Sequence, residues 1–276
     1  MGVWARMSQA AHAVSTSLEG PYKRVGLAVP TQTHNTYYAY SPTDQMHLLY
    51  GIFDGKSPES CNPYFKCTNG STPGHGPGVR PQNWEPKPTC PSVGGAHLHY
   101  SPSLDGPWKS FGGRLPVDTA GCAACGSSNP APWIFANGTV LMVGRGKDTS
   151  NGRHNLWLYR AASWNSTYHW VPSNGVNGSL NTGDGKLTTE DPTLWRGRRG
   201  FHLLLHSHPD LTHAWSKDGL WWNWSATVIG PAEQPGGDNE RPRVALDTEG
   251  DIAAVFVAQL VESQTDASRT AAFVPN

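Results

Sequence analysis

Two stretches of the chain spell nearly the same twelve residues, "STSLEGPYKRVG" at 15–26 and "SPSLDGPWKSFG" at 101–112. Self-similarity of this kind restricts the available folds more tightly than composition does. The copies agree at Ser, Ser, Leu, Gly, Pro, Lys and Gly, and Glu19 is answered by Asp105 and Tyr22 by Trp108. A degenerate third copy, "AWSKDGLWWNWS", occupies 214–225.

A second repeated element precedes these at variable distance: "THNTYYAYSPTDQMHLLYGIF" (33–53), "SNPAPWIFANGTVLMVGRG" (128–146), "EDPTLWRGRRGFHLLLHSH" (190–208) and "ERPRVALDTEGDIAAVFVA" (240–258). Each sets a polar residue, usually before a proline, ahead of a short apolar run, a turn such as Asn137-Gly138 or Glu249-Gly250, and a second apolar run. That is a hairpin signal four times over. "HNLWLYRAAS" (154–163) and "GGAHLHYSPS" (94–103) read as third strands that follow such hairpins. Gly, Pro, Trp and β-branched residues interrupt every candidate helical stripe.

Four short strands recurring at roughly 40–50 residues are the pattern of a propeller blade. The sequence therefore predicts a single all-β domain over 1–276, a five-bladed β-propeller, complete or lacking part of one blade, with four-stranded antiparallel blades. The chain would open on the outer strands of one blade, about 3–25, and finish on the inner hairpin of another, 240–258. Pairing those two ends in one sheet would close the ring and protect its edges. The Cys/Pro/Gly-rich segment at about 55–95 reads as a loop insertion pinned by its cysteines.

Charge excludes several partners. Only 15% of residues are charged and the net charge is zero. A nucleic-acid footprint needs a basic excess, and no apolar run approaches the roughly 18 residues of a membrane span. A neutral partner fits better.

Five N-x-S/T sequons, at Asn69, Asn137, Asn165, Asn177 and Asn223, and five cysteines point to the secretory lumen or the exterior. The "CAAC" of Cys122 and Cys125 lacks a second pair with metal-ligand spacing, so disulfides are expected among these and Cys61, Cys67 and Cys90, with one cysteine left over. The opening "MGVWARMSQAAHAV" has neither the basic start nor the continuous apolar core of a signal peptide, and the expectation is an N-terminally incomplete chain.

In a propeller the first strand of each blade lies nearest the axis, so the residues that open those strands converge. Here they are Asn35, Asn129, Glu190 with Asp191, and Glu240 with Arg241. Paired carboxylates in a neutral, amide-lined, aromatic-rich pocket suit glycoside hydrolysis, in which one protonated acid assists the leaving oxygen and a second carboxylate acts as base or nucleophile. Like charges held close would raise one pKa and keep that acid protonated.

The "EDP" and "NP" openings at blade spacing resemble those of the five-bladed propeller glycosidases of the arabinanase, levansucrase and invertase superfamily, especially glycoside hydrolase family 43. The resemblance implies a catalytic aspartate before proline at Asp191 and a glutamate acid two residues before proline at Glu240, with Glu190 the closest substitute. Asn35 and Asn129 depart from the family's early-blade aspartates, which puts the general base in an upstream blade or leaves it missing. Further pocket candidates are Arg145, Trp195, His206 and Arg241, and the alternating His202, His206 and His208 are candidates for metal or substrate contact. The chemistry needs no cofactor and no catalytic metal, and leaves room for a structural calcium. Structural roles stay open: Glu190 could cap its strand turn, Glu240 could pair with Arg241 or Arg243, and Trp133, Trp195, Trp221 and Trp222 could be core between blades.

The expected function is a glycosidase acting on a carbohydrate substrate. One alternative is a catalytically inactive carbohydrate-binding propeller. Another is a sialidase-type propeller, suggested faintly by "SKDGLWW" and needing an arginine cluster for the substrate carboxylate.

Overall fold

The computed structural model of the chain describes residues 9–29, 33–52, 95–120, 122, 125–147, 154–173, 189–207, 210–229, 239–260 and 268–274. Every regular element among them is a strand. A ribbon of β1 (Ala10–Val14) and β2 (Lys23–Val29) comes first. The first blade is β3 (Tyr37–Ser41), β4 (Met46–Gly51), β5 (His97–Ser101) and β6 (Lys109–Arg114). The second is β8 (Ser128–Ile134), β9 (Val140–Lys147), β10 (His154–Ala161) and β11 (Tyr168–Val171), with the two-residue β7 (Val117–Asp118) added parallel to β11. The third is β12 (Glu190–Gly197), β13 (Gly200–Ser207), β14 (Asp210–Ser216) and β15 (Asn223–Ile229), and the fourth is β16 (Asn239–Leu246), β17 (Ile252–Leu260) and β18 (Ser268–Phe273).

All four expected inner hairpins form, as β3–β4, β8–β9, β12–β13 and β16–β17. The blade count and the ring closure differ from expectation. Four blades are present among the described residues, where five were expected. One holds three strands, and the second gains a fifth because Val117 and Asp118 lie alongside Tyr168 and His169. Among the described residues the ribbon shares no ladder with β16–β18, so the expected closure of both ends in one sheet is not seen there. It leans on the fourth blade through an edge-to-face contact of Tyr22 with Phe256. The first and fourth blades meet instead through side chains, Arg241 Nε donating to Asn35 Oδ1 at 2.6 Å and Arg243 Nη2 to the Thr36 carbonyl at 3.2 Å.

The repeat has a local cause. In both copies the glycine N–H donates to a serine carbonyl three residues back at 3.1 Å, Gly20 to Ser17 and Gly106 to Ser103, and each glycine has φ near +90°, at 88° and 87°. Only glycine adopts that conformation without a Cβ penalty. The serines recur because each hydroxyl accepts a backbone N–H two residues on: Ser15 from Ser17, Ser17 from Glu19, Ser101 from Ser103 and Ser103 from Asp105. The third copy builds its turn with Asp218, whose Oδ1 accepts the N–H groups of Leu220 and Trp221.

Blades covered on both faces lose the alternation of a half-buried strand, and β10 is buried almost throughout. The core joins the first three blades around Tyr50, Trp157, Tyr159 and Tyr168, while Trp195, Leu204, Leu211 and Val257 form a smaller cluster between the third and fourth. The first two blades are tied by Tyr50 and Tyr168, whose hydroxyls lie 2.9 Å apart, and by Trp164 Nε1 donating to Asp44 at 2.7 Å. Cys122 and Cys125 are joined within one turn, with Cα atoms 5.4 Å apart. Cys61, Cys67, Cys90 and most of the 55–95 insertion lie outside the described residues. No helix among the described residues is long and apolar enough to cross a membrane.

Tyr168→Phe removes a hydroxyl that serves both Tyr50 and the Trp164 carbonyl. The expected loss is about 1–3 kcal/mol, because a buried partner is left unsatisfied. Urea denaturation checks this: the midpoint should fall while the slope stays unchanged.

Candidate functional site

The opening residue of each inner strand has a left-handed backbone. Asn35, Asn129, Asp191 and Arg241 have φ of 50°, 48°, 52° and 52°. Such angles are uncommon outside glycine, asparagine and aspartate. In three blades this residue precedes a proline, and the ladder skips there, between Ser128 and Ala131, Glu190 and Thr193, and Glu240 and Arg243. Proline has no N–H to give a ladder, which is why it is tolerated at bulges. The bulge re-aims the side chain out of strand alternation.

At the centre is Asp191, only 5% exposed. Its Oδ1 accepts from Asn35 Nδ2 at 2.7 Å and from Asn129 Nδ2 at 2.5 Å, so amides from the first and second blades hold a carboxylate of the third. Arg241 of the fourth blade then fixes the Asn35 amide. These four residues thus meet at one axis.

Glu190 reaches sideways to Arg145 Nη2 at 3.0 Å. Strict alternation would place Glu190 and Asp191 on opposite faces, with one of them on backbone donors. The bulge removes that constraint, and their charges act on each other. Burial first, then Asp191, pushes the Glu190 carboxyl above the usual carboxylate range, and Glu240 adds to the push while Arg145 and His206 oppose it. Arg145 also contacts His154 Nδ1. Glu240 pairs with Arg241 at 3.2 Å and keeps 41% of its side chain exposed, the structural pairing foreseen from the sequence.

His206 is buried directly across the ladder from Glu190. Trp195 stands apart from this group. It is 4% exposed in the core between the third and fourth blades, and the His202 ring stacks on it at 5.2 Å, so its face is already covered. His202 hydrogen-bonds to His213 across 3.0 Å, and His208 lies outside the described residues. Trp222 is buried, while Trp221 is exposed. No cluster of three or more His, Cys, Asp or Glu suited to a metal occurs among the described residues.

Sequence reasoning missed two residues. His34 lies one residue before the strand-opening Asn35, and that place was the available signal. Thr193 bonds to the Pro242 carbonyl and accepts from Arg243 Nη1 at 3.2 Å, linking the third and fourth blades. Arg243, considered from the sequence as a partner for Glu240, makes these uncharged contacts instead.

No protein-family model and no curated protein matches the chain. Solved structures do match its fold. A family 117 glycoside hydrolase from the marine bacterium Zobellia galactanivorans is 14% identical, with a TM-score of 0.60 over 96% of this chain and 69% of that one. A GH43_1 enzyme from Xanthomonas citri, solved with xylose, is 10% identical, with a TM-score of 0.61 over 96% and 78%. An endo-arabinase from Bacteroides thetaiotaomicron is 12% identical, with a TM-score of 0.56 over 100% and 96%. Other matched glycoside hydrolases are spanned over only about half their length, 55% and 49% in two cases. The chain has the propeller fold of these enzymes.

Burial, aided by Arg241, pushes the His34 imidazole down from 6.5 to about 3. The fold therefore holds it neutral while the unfolded chain takes up a proton below pH 6.5. Stability from this group is complete above that pH and is lost as pH falls, by at most about 1.4 kcal/mol per pH unit. Urea midpoints measured from pH 7 to pH 4 should fall less steeply for His34→Gln than for the native chain.

Proposed function

We propose that the protein is a glycoside hydrolase whose axial carboxylates cleave a glycosidic bond. The observation that supports this most is the Asp191 carboxylate, desolvated and held by two amides beside a glutamate of raised pKa. A carboxyl pushed upward holds its proton to higher pH than an ordinary carboxyl and can give it to a leaving oxygen. Glu190 takes that role. Glu240, already engaged by Arg241 and partly open to solvent, is better suited to receive a proton from the attacking water. Asp191 faces the positive character that builds on the sugar ring in the transition state. The proton leaves Glu190 for the glycosidic oxygen, water adds to the anomeric carbon, and its proton passes to Glu240.

A binding-only propeller is favoured by one feature. Asn35 and Asn129, which cannot take a proton at neutral pH, stand where the resembled enzymes carry aspartates. In either reading the partner is a carbohydrate. A lumenal or secreted location is supported by sequon residues Asn137, Asn165 and Asn223, all exposed.

Leaving groups separate the roles. Glu190→Gln should lower kcat by about 10²-fold or more on a phenyl glycoside, whose phenolate needs protonation, and far less on a dinitrophenyl glycoside. Asp191→Asn should impair both substrates. Saccharide binding by the native chain with no turnover of any aryl glycoside would establish the binding-only reading.

The pH profile gives a second check. Ionisation of Glu190 sets the alkaline limb of kcat/KM. Asp191→Asn removes a negative neighbour and so lowers the Glu190 pKa. The alkaline limb of the residual activity should move to lower pH, and Arg145→Met should move it to higher pH.

A further inference from the structure

Between the first and fourth blades, next to the axial group, lies a cavity of about 370 Å³. Arg241 and Arg243 both line it, and no aspartate or glutamate is among its lining residues. Arg241 is paired with Glu240, which leaves Arg243 as the cation of this wall without an ion-pair partner among the described residues. His34, on the same wall, adds no charge at neutral pH.

Arg243 is the less neutralised of the two. Its Nη1 donates to Thr193 Oγ1 at 3.2 Å and to the Pro242 carbonyl at 2.7 Å, and its Nη2 donates to the Thr36 carbonyl at 3.2 Å. The Tyr37 ring lies 4.9 Å away. These partners are all uncharged and no carboxylate pairs with Arg243 among the described residues; Asp191 and Arg241 act on it only from further off. A guanidinium withdrawn from water onto neutral acceptors gains strongly from an anion. Arg241 is shared between Asn35 and Glu240 and adds a second positive group at the rim. Phe256, the cross-strand neighbour of Arg243, and Ala258 also line the cavity and supply an apolar surface suited to the face of a sugar ring. The volume falls in the range of small-molecule sites.

We propose that this cavity is an anion-recognising subsite that receives the carboxylate or sulfate group of an acidic saccharide, beside the axial carboxylates. The proposal rests on the carbohydrate reading above and narrows its substrate class.

Calorimetric titration of the full chain with methyl glucuronide, methyl galacturonide, the 6-sulfates of methyl glucoside and methyl galactoside, and the two uncharged methyl hexosides tests it. At least one acidic probe should bind tenfold or more tightly than its uncharged counterpart and weaken as salt rises. Uronide preference would identify a carboxylate ligand, and sulfate preference a sulfated one. Thr270→Glu, which sets a carboxylate on the exposed cavity wall, should abolish the preference. Arg243→Gln should do the same, and Arg243→Lys should retain part of it. Equal or weaker binding of every acidic probe, or a preference unchanged in Thr270→Glu, overturns the subsite. Turnover of an uncharged aryl glycoside without acidic preference sinks only this proposal. Acidic preference without turnover of any glycoside keeps the subsite and sinks the hydrolase reading.

Discussion

A carboxylate taken as far out of water as Asp191 is stable only where donors replace the lost hydration, and both of its recorded donors come from other blades. Asn35 and Asn129 supply the N–H groups, and Arg241 orients Asn35 by donating to its oxygen. One buried charge thus specifies how four blades face one another. Beyond the axis, the Tyr37 hydroxyl donates to the Leu194 carbonyl and Arg243 joins Thr36 to Pro242, so the same inner strands are tied again one step along.

That arrangement carries a backbone cost. Left-handed residues other than glycine are strained by about 1–3 kcal/mol each, and here they gather at the axis. The prolines at 130, 192 and 242 reduce what is sacrificed, since a residue with no N–H loses no ladder bond at a bulge. The bulges free Glu190 and Asp191 from strand alternation. Two acids adjacent in sequence can then act as a pair, one gripped by amides and the other paired with an arginine. Around them Glu190 faces Arg145 and Glu240 faces Arg241, while Arg243 contacts only uncharged groups. This asymmetry distinguishes the cavity between the first and fourth blades from the rest of the axis.

Much of the fold was readable from the sequence because its signals are short-range. The inner hairpins follow from apolar runs about turns such as Asn137-Gly138, where Gly138 has φ of 84° and its N–H closes on the Phe135 carbonyl. The blade total was not readable in the same way. Repeat spacing says how long a blade is, but how many meet is decided by side-chain contacts between strands far apart in sequence, such as Arg241 with Asn35. Trp195 shows the same limit: its type suited sugar stacking, yet its position in β12 turns it into the core against His202.

By itself the sequence determined the all-β class, the hairpins, the serine-glycine turns and the four residues that open the inner strands, because each depends on neighbours a few residues away. Only the tertiary structure decided that Asp191 is the acid held by amides, that Glu190 pairs with Arg145, and that Arg243 faces a cavity without an acid. The physical reason is that desolvation and charge pairing depend on which groups are brought together across blades, and chain order does not encode those distances.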